Sequence, residues 1–565
     1  MKVSDYIAET LRDAGVTKVF GFQGSNITHM INSVYMTEGM EYIQTHHEQA
    51  AAFAACACSE ITGNPGCALS SSGPGAINMI SGIVNAWFDS IPVVFLTGQL
   101  NSKALSPDRN YRQHGFQEFD IVSTVRHFTK YAVTLLDPAS VKFHLEKALW
   151  SAKSGRPGGV LLDIPHNLQA ADIDIDSLTG FYPDEEVPLS PEEPDIQKIL
   201  HLLDDAVKPL VLVGGGAGEL RDSSPFIHFI SEFALPVVAS LRGLDILSHD
   251  SEHFFGFIGS YGNRYANIAV SECDLLIVLG SRLDFRQIGD NPSEFAKNAR
   301  IVHVDIDSTE LGHNIVPDIP VHSSCGTFIA SLLSSAGGIK KTRKAWFGRL
   351  NELKERYPSF SLEDAKTLPN ELIYTASRFF KGNDIITGDV GQNQMWTAQS
   401  SFLKNSMRLL NSAGLGSMGY SLPAAIGAAE ASPGSRVLCV SGDGGIQMNI
   451  QELATVRRRN LPVKIMVMNN RSLGLIRTYQ RIVFGNAVGS VEGFGSPNYA
   501  QIAEGYGINY ASACNPDDIR RLEPLFTDDE PLLVEIKLSS DTEVHPEPAY
   551  QKPVYIQAPL LEEQP

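Results

Sequence analysis

No apolar run in this 565-residue chain is long enough to span a bilayer. The first twenty residues carry Asp5, Glu9, Arg12 and Asp13 inside their apolar pattern, which a secretory leader does not tolerate. A protein working in the cytoplasm, away from the membrane, is expected. A stripe of Lys and Arg is also missing, and the net charge of −19 repels a phosphate backbone, so nucleic acid is excluded as the expected partner. A small phosphorylated ligand is not excluded, because backbone amides and a metal ion hold phosphate without a basic patch. Cysteine is scarce and odd in number. Cys56, Cys58, Cys67, Cys273, Cys325, Cys439 and Cys514 are scattered, and no second pair follows the first two at zinc-ligand spacing. They read as reduced core residues.

What is present is a long, ordered, apolar chain. A 43% hydrophobic content over this length implies two to four domains. Ser4 is placed to cap a helix with Val3, Tyr6, Ile7 and Leu11 at helical spacing, and Gly15 ends it before a strand at Val16 to Phe20. Strand-like runs then alternate with helical stretches in three blocks. The first has runs at 68–70, 92–97 and 160–164; the second at 210–213, 237–240, 275–279 and 301–304; the third at 385–387, 437–441, 463–468 and 532–536. Such alternation predicts α/β domains with doubly wound parallel sheets. The Asp, Glu and Pro of residues 169–194 read as a linker, and 335–368, helical and charged before its Pro terminus, as a second one. The expected domains are 1–168, 190–335 and 366–545, followed by a tail at 546–565.

Gly442-Asp443-Gly444 follows the apolar run RVLCVS, and Asn469-Asn470 follows VKIMVM, with residues 445–468 between them. A helix is expected there, with Ile446, Ile450, Leu453 and Val456 on one face. Both loops then leave carboxyl ends of strands in one sheet, where open α/β sheets bind ligands. A carboxylate, an amide oxygen and a backbone carbonyl are the hard ligands that Mg²⁺ prefers, with room left for diphosphate oxygens. Asp443, Asn470 and the backbone of Ser472 are the candidate set. Either dipeptide alone is an ordinary turn, but their joint placement points to a metal-bound diphosphate.

This pairing resembles the thiamine diphosphate motif. GPGAINMISGIVNAWFDSIPVV, FQEFDIV, GRPGGVLLDIP, DVGQNQMW, GLGSMGYSLPAAIGAA and GDGGIQMNIQELATV are similar, in the same order, to acetolactate synthase large subunits. The resemblance implies a pyrimidine-binding first domain, a middle domain of FAD-binding type and a diphosphate-binding third domain. It implies that Glu48 bonds the aminopyrimidine, favouring the imino tautomer that takes the thiazolium C2 proton. Met418 is implied to bend the cofactor, with Gly416, Pro74 and Asn78 against the pyrimidine. Gly391, Gln392 and Asn393, with Gly442, Asp443 and Gly444, are implied to hold the diphosphate; relatives more often have His at 393, and Asn is expected to replace it as a donor. Val213-Gly214-Gly215-Gly216 is a weak dinucleotide signal, to which the resemblance adds FAD at Arg156, Gly215, Gly216, Arg282 and Asp305. A homodimer or homotetramer with its site at the subunit interface is implied as well.

Phe116 and Gln117 match the pair that contacts the 2-keto acid donor, pyruvate. The acceptor side departs from the family pattern. Tyr479 stands for Trp, Phe285 before Arg286 for Asp, and His166 for Lys, and Ser25 and Asn26 are further changes near the reacting centre. The expected activity is decarboxylation of pyruvate and transfer of the two-carbon acyl unit to a keto acceptor. That acceptor is either a second keto acid, as in acetolactate synthases, or a nucleotide-linked keto-deoxysugar, with which the RNYRQHG segment is compatible. A flavin-dependent 2-keto acid oxidase is an alternative. His46 and His47 read as packing or capping residues rather than the paired histidines of simple decarboxylases.

Overall fold

The structure, a computed structural model, describes residues 1–561 apart from 106–111, 185–188, 338–340, 362–364, 492–493 and 550. Part of the RNYRQHG segment therefore lies outside the described residues. Three six-stranded parallel sheets follow one another along the chain. The first has β1 (Lys18–Gly21), β2 (Glu41–Gln44), β3 (Gly66–Ser70), β4 (Val93–Gln99), β5 (Tyr131–Thr134) and β6 (Val160–Pro165), in the order β2-β1-β3-β4-β6-β5. The second has β7 (Pro209–Val213), β8 (Val237–Ala239), β9 (Phe254–Phe257), β10 (Leu275–Leu279), β11 (Arg300–Asp305) and β12 (Ile319–His322), in the order β12-β11-β10-β7-β8-β9. The third has β13 (Ile385–Gly388), β14 (Arg408–Asn411), β15 (Val437–Gly442), β16 (Val463–Asn469), β17 (Asn509–Ala513) and β18 (Leu532–Lys537), in the order β14-β13-β15-β16-β18-β17. The outer two share one topology, and the middle one follows the dinucleotide-binding order.

Helices cover both faces of each sheet, so central strands such as β4 and β16 are buried along their whole length. The helix Glu48–Thr62 is Ala-rich and buried on nearly every side, because it is packed between the first sheet and the helix Ser421–Ala431 of the third domain. At their closest approach a Cβ on Gly427 would lie 2.1 Å from the Ala54 carbonyl oxygen. Polar contacts lock the three units further. Arg242 of the middle domain pairs with Glu60 of the first at 2.6 Å and donates to the Asn411 carbonyl of the third at 3.2 Å. Asp245 receives both Arg221 and Arg408.

Several local expectations are corrected. Ser4 does not cap: the first helix, Val3–Asp13, is entered at Lys2, and Ser4 is buried inside it, its hydroxyl accepting from Ser33 at 2.8 Å. The helix expected after Asp443 is broken at Asn449 into Asp443–Met448, a 3₁₀ turn Ile450–Glu452 and Leu453–Arg459. The second linker, by contrast, is helical as expected: its helix Lys344–Arg356 packs Trp346, Leu350 and Leu353 on the middle domain. Six cysteines are buried thiols, but Cys514 is exposed. Beyond residue 545 the chain forms the two-stranded ribbon β19 (Glu547–Pro548) and β20 (Gln557–Ala558) and returns to the middle domain, where Arg264 donates to the Gln557 and Pro559 carbonyls. Among the described residues no helix is long and apolar enough to cross a membrane.

Candidate active site

In the third sheet β13 is flanked by β14 on one side and β15 on the other, so the loops leaving β13 and β15 diverge and open a crevice at their carboxyl ends. The adjacent β16 is in register with β15, Gly442 facing Met468, which brings the Asp443 and Asn470 loops side by side. Asp443 is buried and its Oδ2 has no protein partner. Burial pushes its carboxyl up to about 6, against the pull of the Arg471, Gly444 and Ser472 amides. Asn470 donates to Gln392 Oε1 at 2.8 Å and accepts the Ser472 amide at 3.1 Å. Arg471 between them takes a left-handed conformation, φ 53°, to close the turn. Among the described residues no group of three or more His, Cys, Asp or Glu side chains could hold a metal. A cation here would rest on one carboxylate, neutral oxygens and the ligand's own phosphates. An orphaned buried carboxylate oxygen beside neutral acceptors fits Mg²⁺.

The other residues expected at the diphosphate frame the same crevice. Gly391 and Gly442 are backed by the Asn393 Oδ1, 2.8 Å from where either Cβ would stand, and Gly416, φ 71°, faces open space. Met418 reaches to within 3.4 Å of the Cβ position of Gly444. The Asn393 amide donates to the Asp389 carbonyl at 2.6 Å, and its oxygen faces the glycines. Sequence reasoning also missed Asp389. Its buried carboxylate takes the Val390 amide at 2.8 Å, the Gly419 amide at 2.9 Å and the Ser441 hydroxyl at 3.1 Å, tying three cradle segments together. The signal was the acidic residue just after the apolar run of β13.

The first-domain candidates gather at the matching rim of their own sheet. Glu48 opens its helix and is buried, as the apolar run behind it requires; His47 caps that helix, Nδ1 accepting the Gln49 amide at 3.1 Å. Pro74 begins the helix Pro74–Phe88, and one turn on Asn78 donates to Glu48 Oε2 at 3.0 Å. A Cβ on Gly75 would come 3.0 Å from Glu48 Oε1, so glycine there leaves the carboxylate its place. Gln117, φ 65°, packs its backbone on Gly73, while Phe116 is 83% exposed. Asn26 donates to Ser72 at 2.6 Å, with Ser25 beside it, and Gln169 ties the Asn26 carbonyl to the short helix that His166 begins.

The middle sheet reverses its winding between β7 and β10, and a cavity of about 530 Å³ opens there. Arg156, Gly215, Gly216, Arg282 and Asp305 all line it. The backbone crossing is tight, since a Cβ on Gly216 would lie 3.0 Å from the Gly280 Cα. Arg156 spans from the first domain to Asp307 and Glu310. Volume, glycine cradle and the carboxylate ending β11 fit a dinucleotide such as FAD. Of the acceptor-side residues, Arg286 reaches this cavity, with Phe285 exposed next to it, and Tyr479 is exposed on the helix Gly474–Phe484. Among the described residues no hydrogen bond or ion pair joins Glu48 itself to Asp443, Asn470 or Ser472.

The chain matches the thiamine pyrophosphate enzyme N-terminal TPP binding domain over residues 1–124, the central domain over 196–332 and the C-terminal TPP binding domain over 389–536. It is 34% identical over 551 residues to the acetolactate synthase large subunit of Lactococcus lactis, covering 96% of this chain and 93% of that one. The corresponding protein of Cyanidium caldarium is 35% identical over 548 residues, 94% of this chain and 92% of its own. A probable acetolactate synthase large subunit from Methanocaldococcus jannaschii is 34% identical over 556 residues, 95% and 92%. With three matched domains and full-length relatives, the chain belongs to the thiamine pyrophosphate enzyme family, as a thiamine diphosphate-dependent enzyme of the decarboxylase and carboligase type.

Proposed function

We propose that this enzyme decarboxylates pyruvate, or a closely similar 2-keto acid, and transfers the two-carbon acyl unit to a keto acceptor. The carrying observation is the unpartnered Asp443 Oδ2 beside Asn470 at the rim of β15 and β16. When bound, thiamine diphosphate would supply an electron sink for the electron pair left behind as carbon dioxide departs. Asp443, Asn470 and the Ser472 backbone hold Mg²⁺, and the Gly391, Gly442 and Gly444 backbones hold the diphosphate. Met418 and Gly416 shape the wall of the crevice. Glu48, supported by Asn78 and Pro74, holds a proton at the pyrimidine nitrogen. Phe116 and Gln117 orient the donor acid, and FAD occupies the middle cavity. Because Glu48 and Asp443 stand on separate rims, and Phe116, Ile476 and Tyr479 are exposed, a second copy of the chain completes the site, in a homodimer or homotetramer.

Arg286 has Met395 Sδ, at 3.7 Å, as its side-chain partner and so has charge to offer an acceptor carboxylate. Tyr479 and Phe285, both exposed, favour as a second reading an acceptor larger than pyruvate, such as a nucleotide-linked keto-deoxysugar. Acetolactate formation from pyruvate alone, with thiamine diphosphate and Mg²⁺, tests the first; carbon dioxide release only with an added ketone supports the second. Oxygen uptake with peroxide formation would instead point to a flavin-dependent oxidase. Glu48→Gln is expected to lower turnover on the order of 10²-fold or more; undiminished turnover overturns the mechanism.

A further inference from the structure

The turn that delivers Glu48 to its helix is held from another domain. Glu452 closes the 3₁₀ turn Ile450–Glu452, just beyond the helix that starts at Asp443, and is fully buried. Its Oε1 accepts the backbone amide of His46 at 2.8 Å, a bond between residues 406 apart in sequence. Its Oε2 accepts the Thr455 hydroxyl at 2.8 Å. Beside it, Asn449 donates to Gln49 Oε1 at 3.1 Å and to the Gly419 carbonyl at 2.8 Å. Residues on both sides of Glu48 are therefore bonded to one stretch of the third domain, 449–452. Burial pushes the Glu452 carboxyl up to about 7, while the Thr455 hydroxyl and the His46 and His47 amides pull it back. An ionisable group buried here is expensive to keep, and what its oxygens fix is the approach to Glu48.

We infer that Glu452 is a positioning residue for Glu48, holding the His46–His47 backbone so that the Glu48 carboxylate meets the pyrimidine nitrogen in register. The inference rests on the proposed role of Glu48 toward thiamine diphosphate. A catalytic group displaced by about 1 Å can lose as much as 10²-fold in rate, so the fold can tolerate a change at Glu452 that the chemistry does not.

The test uses the full chain saturated with thiamine diphosphate and Mg²⁺. Hydrogen–deuterium exchange at the cofactor C2 is followed by quenched NMR, with cofactor affinity by calorimetry and melting temperature alongside. Glu452→Gln is expected to slow exchange by about tenfold or more while cofactor affinity stays at the wild-type value. Exchange at the wild-type rate overturns the inference, as does a loss of affinity in step with exchange, which marks general loosening. Glu48→Gln, run in parallel, separates the two ideas. If it slows exchange and Glu452→Gln does not, only the positioning role falls; if it leaves exchange intact, the reading of Glu48 itself falls. Should Glu452→Gln fail to fold, Thr455→Val keeps the carboxylate but removes a partner. Slower exchange in that variant supports the inference, and wild-type exchange overturns it.

Discussion

The Asp389 carboxylate accepts the Gly419 amide at 2.9 Å, so the end of β13 holds the loop that carries Met418. Asp389→Asn would turn an amide group toward backbone donors and leave a buried N–H unpaired, a cost of roughly 1–3 kcal/mol. Calorimetry with thiamine diphosphate and Mg²⁺ is expected to show about tenfold weaker binding, with a lower melting temperature. Unchanged values in both would remove Asp389 from the cradle.

Arg242 neutralises Glu60 at 2.6 Å and stands 4.0 Å from Asp89, at the joint of all three domains. Arg242→Met would leave buried carboxylates without their cation, which destabilises by about 3–5 kcal/mol. Chemical denaturation should register that loss. A variant as stable as the wild type would show that the joint depends on apolar packing alone.

Gly280 takes a left-handed conformation, φ 57°, and a Cβ there would stand 2.4 Å from the Ala217 nitrogen. Gly280→Ala should therefore push apart the crossing that walls the middle cavity. The purified wild type is expected to carry flavin, read by visible absorbance per chain, and the variant to carry much less. Equal flavin content in the two proteins would place the flavin elsewhere.

Asp163 on β6 is buried, and burial raises its carboxyl from 3.8 to about 7 although Thr97, Gln99 and Thr134 donate to it. Its folded value lies above the unfolded one, so its stabilising contribution is complete below about pH 4 and is lost as pH rises through about 7. The stability advantage of wild type over Asp163→Asn should shrink between pH 4 and pH 8 in urea denaturation. An advantage that grows with pH would reverse the assignment.

The strands legible in the sequence were the central four of each sheet, and both edge strands of each were missed. Central strands such as β10, Leu275–Leu279, are continuous apolar runs because helices cover them on both sides. Edge strands lack that mark: β17 is mostly unburied, β12 alternates buried with exposed, β14 is bounded by Arg408 and Asn411, and β9 is interrupted by Gly256. At the site, Asp443 and Asn470 could be paired from two loops following two apolar strands. The hub role of Asp389 could not, since it depends on the Gly419 and Ser441 donors that only folding brings to it. Nor could the amide of Asn393 be known to turn toward the Asp389 carbonyl.

The shared strand order of the outer domains bears on how they touch. Each offers the other the helix between its second and third strands, Glu48–Thr62 and Ser421–Ala431, with Gly427 lying on the Ala54 carbonyl. Equivalent surfaces meeting in this way are the mark of a two-fold dimer. A single polypeptide here contains internally the handshake that twin subunits usually make, and widening either helix at that spot would be felt by both halves at once.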